Sequence, residues 1–259
     1  MYPYVQILGT TVSVYTILVL VGFGLGVLAA LLRRRINDVS ITDLLTCMLI
    51  GGAGALVGGK LFYMIQGLPQ FLQLAQNSGY TFLQYFQDAG LVYYGGFVGA
   101  VLFLLLAAKL TGAPIWPVID TVLPSIPLMQ AFGRLGCLSA GCCYGVPSDF
   151  GFYFDTSPFA PHGIRLFPVQ LAESVCVAIL FAALVFYGRK KRIPGRVLAF
   201  YLIAYGIIRF ILEFFRYDSV RGIYAGLSVS QWISIAFIAL GFFFRYGYPV
   251  FHKVRAAKT

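Results

Sequence analysis

Long apolar segments separated by polar connections dominate the chain from about residue 11 to residue 246. A segment of roughly 20 apolar residues crosses the hydrocarbon layer of a bilayer as one helix. Within the second segment, Gly54 and Gly58 have the spacing of small residues that lets two membrane helices approach closely. The pattern predicts seven helices, with expected bounds 11–32, 41–66, 91–109, 114–132, 168–187, 197–215 and 227–246.

The composition supports a membrane protein. Only 11% of the 259 residues are charged and 59% are hydrophobic, whereas soluble domains carry roughly 25% charged residues. The first apolar run is longer than the core of a signal peptide, roughly 7–15 residues, so we expect it to remain as a span. The sequence therefore predicts a single all-α, polytopic integral-membrane domain over residues 1–259.

Basic residues predict the orientation of this domain. Arg33, Arg34 and Arg35 follow the first span, and such clusters remain on the cytoplasmic side, which places the N-terminus outside and the C-terminus inside. The net charge of +10 would indicate nucleic acid in a soluble protein, but here we attribute it to a positive cytoplasmic face and expect no nucleic-acid partner. Six cations lie instead in or beside the outer half of the spans: Lys60, Arg134, Arg165, Arg209, Arg216 and Arg221.

Two outward connections, 67–90 and 133–167, are longer than a helix bundle needs, and we expect them to form a small loop cap. The stretch 133–145 reads G-R-L-G-C-L-S-A-G-C-C-Y-G and is expected to be irregular. Irregular backbone at membrane depth is tolerated only against protein or a wet cavity. Arg134 in this stretch therefore indicates a polar site.

Charged residues recur on one face of the sixth span. Arg209, Glu213 and Arg216 stand at positions i, i+4 and i+7, so a continuous helix places them on one side. Arg209 and Glu213 are expected to pair across one turn. We expect a net positive stripe in the outer half of the membrane.

The fifth span adds a polar pair. Gln170 and Glu173 share a helix face, and a buried Glu173 is expected to pair with Arg134 or Arg209. Guanidinium groups that converge beneath a loop cap match the oxygens of a phosphate. An anion held beside apolar walls is most simply a phospholipid headgroup, so the residues alone predict a protein that handles a phospholipid.

The cysteines permit several interpretations. Five cysteines form an odd number without zinc-finger spacing, so we expect no disulfide framework and no metal site. Cys137, Cys142 and Cys143 lie near arginines, which favour thiolates. One of them could attack the lipid covalently, Cys142 and Cys143 could form a vicinal disulfide, or the three could join His162 around a metal. Packing of small side chains is the simplest alternative.

A series of motifs gives the chain a family resemblance. In order these are V-Y-T-I-L-V-L-V-G-F at Tyr15, G-G-K-L-F-Y at Lys60, Y-Y-G-G at Tyr94, D-T-V-L-P-S-I-P-L-M-Q-A-F-G-R-L-G through Arg134, P-V-Q-L-A-E at Glu173, R-F-I-L-E-F-F-R and L-S-V-S-Q. On these motifs the chain resembles the bacterial prolipoprotein diacylglyceryl transferases.

The resemblance implies an enzyme of the bacterial cytoplasmic membrane with an outward site and no cofactor. Such an enzyme transfers the diacylglyceryl group of phosphatidylglycerol to the lipobox cysteine of a secreted prolipoprotein and releases glycerol phosphate. It implies that Arg134 and Arg209 hold the phosphate and stabilise the leaving group, with Glu213 orienting Arg209. Tyr94 takes the position of the catalytic base. The implied substrate-binding residues are Tyr15, Lys60, Cys137, Cys142, Cys143, Gln170, Glu173 and Arg216.

The chain departs from the family pattern at four polar positions. Tyr94 stands in place of the histidine that would activate the acceptor thiol, and a tyrosine with its usual pKa of ~10 is a poor base at neutral pH. Cys137 replaces an asparagine, Cys142 an acidic residue and Phe167 a histidine. The identities of the acceptor and of the donor headgroup therefore stay open. Three other functions also stay open: a transferase with another acceptor, a non-enzymatic phospholipid-binding or translocating protein, and a thiol redox protein.

Overall fold

The computed structural model describes residues 4–7, 9–90, 92–217 and 222–247, most of which are helical. Two short antiparallel strands, β1 (Tyr4–Ile7) and β2 (Thr10–Ser13), precede the first helix. The helices are α1 (Val14–Arg33), α2 (Ile41–Ser78), α3 (Phe82–Asp88), α4 (Tyr93–Thr111), α5 (Ile115–Val122), α6 (Ser125–Ala140), α7 (Val169–Tyr187), α8 (Arg196–Leu212) and α9 (Val229–Phe242).

The predicted polytopic, all-α membrane protein is confirmed. Among the described residues, six stretches are long and apolar enough to cross a bilayer: Val14–Ile36, Ile41–Gln76, Ile115–Ala140, Val169–Tyr187, Arg196–Phe215 and Val229–Gly247. Large apolar side chains on them, such as Leu20 and Leu49, are exposed, as lipid contact requires. The third predicted span corresponds to the shorter apolar helix Gly95–Thr111, so the count of seven stays a prediction.

The chain divides into two compact units, Met1–Asn37 with Ile119–Thr259, and Asp38–Val118. In the first unit α1 packs on α6, α6 on α7, α7 on α8 and α8 on α9. Val177 and Leu184 of α7 belong to the same buried apolar cluster as Val197 and Tyr201 of α8. This succession of neighbouring helices brings residues from α6, α7, α8 and α9 to one site.

The second unit is held together by close contact between α2 and α4. A Cβ atom at Gly54, Gly58 or Gly99 would collide with the backbone or a side chain of the facing helix. Only glycine permits this approach, so the packing predicted for Gly54 and Gly58 is confirmed.

The prediction of a loop over 67–90 is wrong. Helix α2 continues to Ser78 with Pro69 inside it, and α3 follows. Gln and Leu are good helix formers, which the polar character of the segment concealed. The ring of Tyr85 stacks on Phe71, and its hydroxyl donates to the Met64 carbonyl at 2.7 Å, which fixes α3 against α2.

The prediction that 133–145 is irregular from its first residue is also wrong. Helix α6 continues to Ala140 and ends at Gly141, which adopts a left-handed φ of 71°. A helix tolerates isolated glycines, and Gly136 leaves room for the ring of Tyr15 to pack against it. The break in this predicted span comes earlier, near Pro124, because proline lacks an amide hydrogen and clashes with the preceding turn.

The rest of the predicted loop is indeed non-helical. Residues 141–168 contain the short strand β3 (Pro147–Phe152), both ends of which bridge to Leu166. Phe154 and Leu166 form a small buried core there with Ala160. A second hairpin pairs β4 (Ile223–Tyr224) with β5 (Leu227–Ser228) just before α9.

Candidate functional site

Glu173 of α7 lies at the centre of the site, with a side chain only 2% exposed. Its Oε1 lies 3.0 Å from Nε of Arg134 in α6, and its Oε2 lies 3.3 Å from Nη1 of Arg209 in α8. A buried carboxylate is stable only when it is paired. The expectation that Arg134 or Arg209 pairs with Glu173 is confirmed for both arginines.

Arg209 is held by two further partners. Its Nη2 lies 2.8 Å from Oε2 of Glu213, which confirms the expected pair across one turn. The same nitrogen donates to the Ser230 hydroxyl of α9 at 3.1 Å. Three contacts from three elements hold this guanidinium in place, and its side chain is 12% exposed.

Gln130 and Tyr205 complete the network, although neither is among the predicted site residues. The Gln130 amide donates to Glu173 Oε1 at 3.1 Å and is also hydrogen-bonded to the Tyr205 hydroxyl at 3.0 Å. Each stands one helical turn before a site arginine, Gln130 before Arg134 and Tyr205 before Arg209. A polar residue at that spacing inside an apolar helix was the signal that could have found them.

Arg216 is not on the helix face predicted for it. Helix α8 ends at Leu212, a short 3-10 turn follows, and Arg216 is extended. An antiparallel bridge pairs it with Gly145, where a Cβ atom would collide with the backbone of Phe167 and Phe215. The bridge places the buried Arg216 beside the segment that follows the cysteines.

A small cavity of about 220 Å³ adjoins this region. It has room for a small polar group, and both Glu213 and Arg216 border it. The lining residues are Glu213, Phe214, Arg216, Ile223, Gly226, Ser228 and Gln231.

The three cysteines of 133–145 converge. The Sγ atoms of Cys137, Cys142 and Cys143 all lie within 4.8 Å of one another, and each side chain is half-buried. Cys137 is in the last turn of α6, and Cys142 and Cys143 follow its C-terminal cap. Gln170, which is almost fully buried, donates from Nε2 to the Cys142 carbonyl at 2.8 Å.

Hydrogen bonds from Cys137 and Cys142 lower the pKa of the Cys143 thiol, and the charges of Arg134 and Arg216 lower it further. The direction at Cys143 agrees with the expected thiolate, whereas hydrogen bonds with Cys137 and Cys143 raise the pKa of the Cys142 thiol. All five cysteines of the chain are free thiols. His162 donates to the Ser157 carbonyl at 2.8 Å and is not part of the cluster, so the alternative that places it with the three thiols is not supported.

The remaining predicted residues lie elsewhere or outside the described part. The ring of Tyr15 packs against Gly136 beside the cysteines, and 41% of the residue is exposed. The Lys60 ammonium, in the second unit, lies 4.2 Å from the centre of the Phe86 ring. Tyr94 is in the first turn of α4, but its side chain, like Arg221, is outside the described residues.

The charges of the site favour an anion. Three guanidinium groups and two carboxylates leave one positive charge in excess among these five side chains: Arg134, Arg209, Arg216, Glu173 and Glu213. They lie beside helices apolar enough to span a bilayer. The arrangement is chemically suited to hold an anionic group attached to an apolar tail.

Comparison with known proteins points to the same chemistry. A family model described as prolipoprotein diacylglyceryl transferase matches residues 3–246. A phosphatidylglycerol–prolipoprotein diacylglyceryl transferase from Clostridium tetani is 36% identical over 228 residues, which is 85% of this chain and 88% of that protein. A similarly named enzyme from Bordetella parapertussis is 34% identical over 235 residues, 88% of this chain and 87% of that protein. The chain belongs to the prolipoprotein diacylglyceryl transferase family.

Proposed function

We propose that the protein transfers the diacylglyceryl group of phosphatidylglycerol to the cysteine thiol of a secreted prolipoprotein and releases glycerol phosphate. The observation that carries this proposal is the pair of arginines, Arg134 and Arg209, held on the buried Glu173. The names of the similar proteins describe the same donor and acceptor.

The change in charge during the reaction explains why arginines are needed. The acceptor sulfur attacks the glyceryl carbon that carries the phosphate, the carbon–oxygen bond breaks, and the electron pair leaves with glycerol phosphate. A phosphodiester carries one negative charge, while the departing phosphate monoester carries nearly two at neutral pH. Arg134 and Arg209 therefore bind the leaving group more strongly than the substrate, and this difference accelerates the reaction.

The network around these arginines reduces the free energy needed to orient their guanidinium groups during the reaction. Glu173 fixes one side of each guanidinium, and Glu213 and Ser230 fix the other edge of Arg209. Donors that are already oriented towards the developing charge stabilise it more than mobile donors do. Glu173 and Glu213 thus act as positioning residues in this proposal.

We assign the headgroup to the cavity beside Arg216. The glycerol of phosphatidylglycerol carries two hydroxyl groups, and the cavity is bordered by the carboxylate of Glu213 and the polar side chains of Ser228 and Gln231. Hydroxyl groups can donate to the carboxylate and accept from the amide. A choline headgroup has no such donors, so the cavity favours glycerol.

The orientation belongs to the same proposal. Arg33, Arg34 and Arg35 at the end of the first span support an orientation with the N-terminus outside and the C-terminus in the cytoplasm. In this orientation the arginine site would lie in the outer half of the bacterial cytoplasmic membrane. A secreted prolipoprotein presents its cysteine on that side.

The test is release of glycerol phosphate by purified protein in phosphatidylglycerol vesicles. A lipobox peptide is compared with the same peptide in which serine replaces the cysteine. Release with the cysteine peptide alone supports the transferase. Release without any peptide would contradict it in favour of hydrolysis or another acceptor, and bound lipid without release would favour a lipid-binding or translocating protein.

A further inference from the structure

The three thiols form a site that the linear spacing of the cysteines conceals. Neighbouring side chains of an extended chain point in opposite directions. Here Gly141 and Cys143 both adopt left-handed backbone, with φ of 71° and 58°, and all three Sγ atoms lie within 4.8 Å of one another. A cysteine in this conformation costs roughly 1–2 kcal/mol, so the surrounding structure must enforce the convergence.

The spacing of the sulfurs is close to that of a metal site. Thiolates select soft or borderline ions such as Zn²⁺. With zinc–sulfur bonds of about 2.3 Å, the sulfurs of a tetrahedral site lie about 3.8 Å apart, so each pair needs to close by about 1 Å or less. Three protein ligands leave the fourth position open, which is the arrangement of catalytic zinc sites.

The charges around the cluster also suit a metal–thiolate group. A divalent ion with three thiolates carries one net negative charge. The charges of Arg134 and Arg216 both act on Cys143, so the complex would have cations beside it. Arg134, which interacts with Cys137 and Cys143, is also one of the two arginines proposed to bind the phosphate, so the cluster lies beside that position.

Gln170 provides a second indication that a ligand approaches the cysteines. Its Nε2 donates to the Cys142 carbonyl, while its Oε1 is buried without a hydrogen-bond partner among the described residues. An unsatisfied buried acceptor costs about 1–3 kcal/mol. A backbone amide of a peptide bound beside Cys142 would satisfy it.

We propose that Cys137, Cys142 and Cys143 bind one Zn²⁺ ion and that the cysteine of the acceptor prolipoprotein occupies its fourth position as a thiolate. This inference rests on the proposed transferase function and names the group that activates its acceptor. It replaces the expectation from the sequence that the chain holds no metal.

The step balances without an oxidant or reductant. The acceptor thiol loses its proton to water as its sulfur binds the ion, because a coordinated thiol is deprotonated. The sulfur then attacks the glyceryl carbon, and the carbon–oxygen bond breaks with its electron pair on glycerol phosphate. The product is a neutral thioether, a weaker ligand than a thiolate, so it can leave the ion.

The ion would also remove the need for a strong base at position 94. A tyrosine with its usual pKa of ~10 accepts a proton poorly at neutral pH. Metal coordination performs the deprotonation instead. A bound zinc ion thus accounts for the three cysteines in α6 and in the turn that follows it. It also accounts for the tyrosine at position 94.

The first experiment measures metal in the purified, reduced protein. We expect about one equivalent of zinc per chain, and Co²⁺ in its place should show the absorption bands of tetrahedral thiolate coordination. Cys137→Ser, Cys142→Ser and Cys143→Ser should each lose most of the bound metal. Cys176→Ser, at a half-buried cysteine of α7, is the matched control and should keep it.

Titration of the reduced wild-type protein with zinc or cobalt tests the proposal even if the cysteine variants fail to fold. If zinc or cobalt added to the reduced wild-type protein does not bind in one equivalent, or if cobalt shows no thiolate bands, the proposal is overturned. Equal loss of metal in the Cys176→Ser control would overturn it as well.

The second experiment separates the metal from the transferase activity. A cysteine peptide should shift the cobalt spectrum, while the serine peptide should not. Removal of zinc by a chelator should lower thiol-dependent release of glycerol phosphate at least tenfold, and zinc should restore it. Full release by metal-free protein would overturn the metal proposal and leave the transferase intact. A spectral shift without any release would instead overturn the transferase.

Discussion

Nη2 of Arg209 and Oε2 of Glu213 form an ion pair at 2.8 Å, with Glu213 in the 3-10 turn that follows α8. The carboxylate is 1% exposed and the guanidinium 12%, so neither group is well solvated. Opposite charges at this distance attract each other strongly where water does not screen them. The pair fixes the edge of Arg209 that Glu173 does not fix.

Replacing Glu213 with glutamine should therefore disturb orientation more than folding. The amide keeps the size and some hydrogen bonding but loses the charge, and bonds to charged groups contribute about 1.5–3 kcal/mol. We expect kcat to fall by roughly 10- to 100-fold with a smaller change in KM. Steady-state kinetics on phosphatidylglycerol vesicles separate kcat from KM. If Glu213 had a purely structural role, the variant would give less folded protein, and kcat per active molecule would not change.

Lysine should not substitute for either central arginine. A guanidinium presents several donors in a planar fork, while an ammonium acts as a point charge. Arg134→Lys and Arg209→Lys should each lower kcat by roughly 100-fold, the magnitude seen when one oxyanion donor is removed. Arg165→Lys is the control, because Arg165 is exposed, lies over the ring of Tyr153 and donates to the Asp149 carbonyl, away from the central arginines. Wild-type turnover in either central variant would contradict the mechanism.

Loss of the Glu173 charge should destabilise the fold itself. Glu173→Gln leaves two guanidiniums facing a neutral side chain in a buried place, and breaking such a pair costs about 3–5 kcal/mol. Thermal unfolding in detergent should show a clear decrease in Tm. Asp149→Asn, at an exposed carboxylate, is the control, and an equal Tm for Glu173→Gln and wild type would show that the pair is not structural.

Glycine should be required at 145 but not at 133. A methyl at Gly145 collides with the backbone of Phe167 and Phe215, so Gly145→Ala should displace the bridge that carries Arg216 and raise KM for the lipid. At Gly133 a Cβ atom has no neighbour within 4 Å, and alanine favours the helix by about 1 kcal/mol. Gly133→Ala should keep or increase Tm. An unchanged KM for the lipid in Gly145→Ala would show that the bridge is not needed to position Arg216.

Alkylation of the metal-free, reduced protein should show an acid-shifted reaction at Cys143. A thiol whose pKa is lowered stays ionised as the pH falls below the usual thiol pKa of ~8.5, and only the thiolate reacts. At pH 6 we expect iodoacetamide to modify Cys143 before Cys142, with the difference narrowing towards pH 9. Peptide mapping by mass spectrometry measures both sites. Equal rates at pH 6 would show that the cluster does not lower this pKa.

Sequence patterns were sufficient where one helix determines the geometry. The pairing of Arg209 with Glu213 followed from spacing alone, and Glu173 needed an arginine because it is charged and lies within an apolar helix. The helical spacing of two residues and the free-energy cost of burying a charge depend on one helix alone, so both can be obtained from the sequence.

Other features depend on tertiary contacts and could not be obtained in this way. The α8 helix ends before Arg216, and pairing with Gly145 rather than helical spacing decides where that arginine lies. The four glycines of 133–145 indicated a loop, yet neighbouring packing keeps α6 helical to Ala140. The convergence of the cysteines depends on left-handed backbone at Cys143, which no spacing rule predicts.

The most direct test of the transferase is the mass of the acceptor peptide after incubation with phosphatidylglycerol of a single acyl composition. We expect the cysteine to gain one diacylglyceryl group through a thioether, in amounts equal to the glycerol phosphate released. The serine peptide and the Arg209→Lys protein should give little or none of this product. An unmodified cysteine peptide in the presence of folded, lipid-bound wild-type protein would contradict the transferase function.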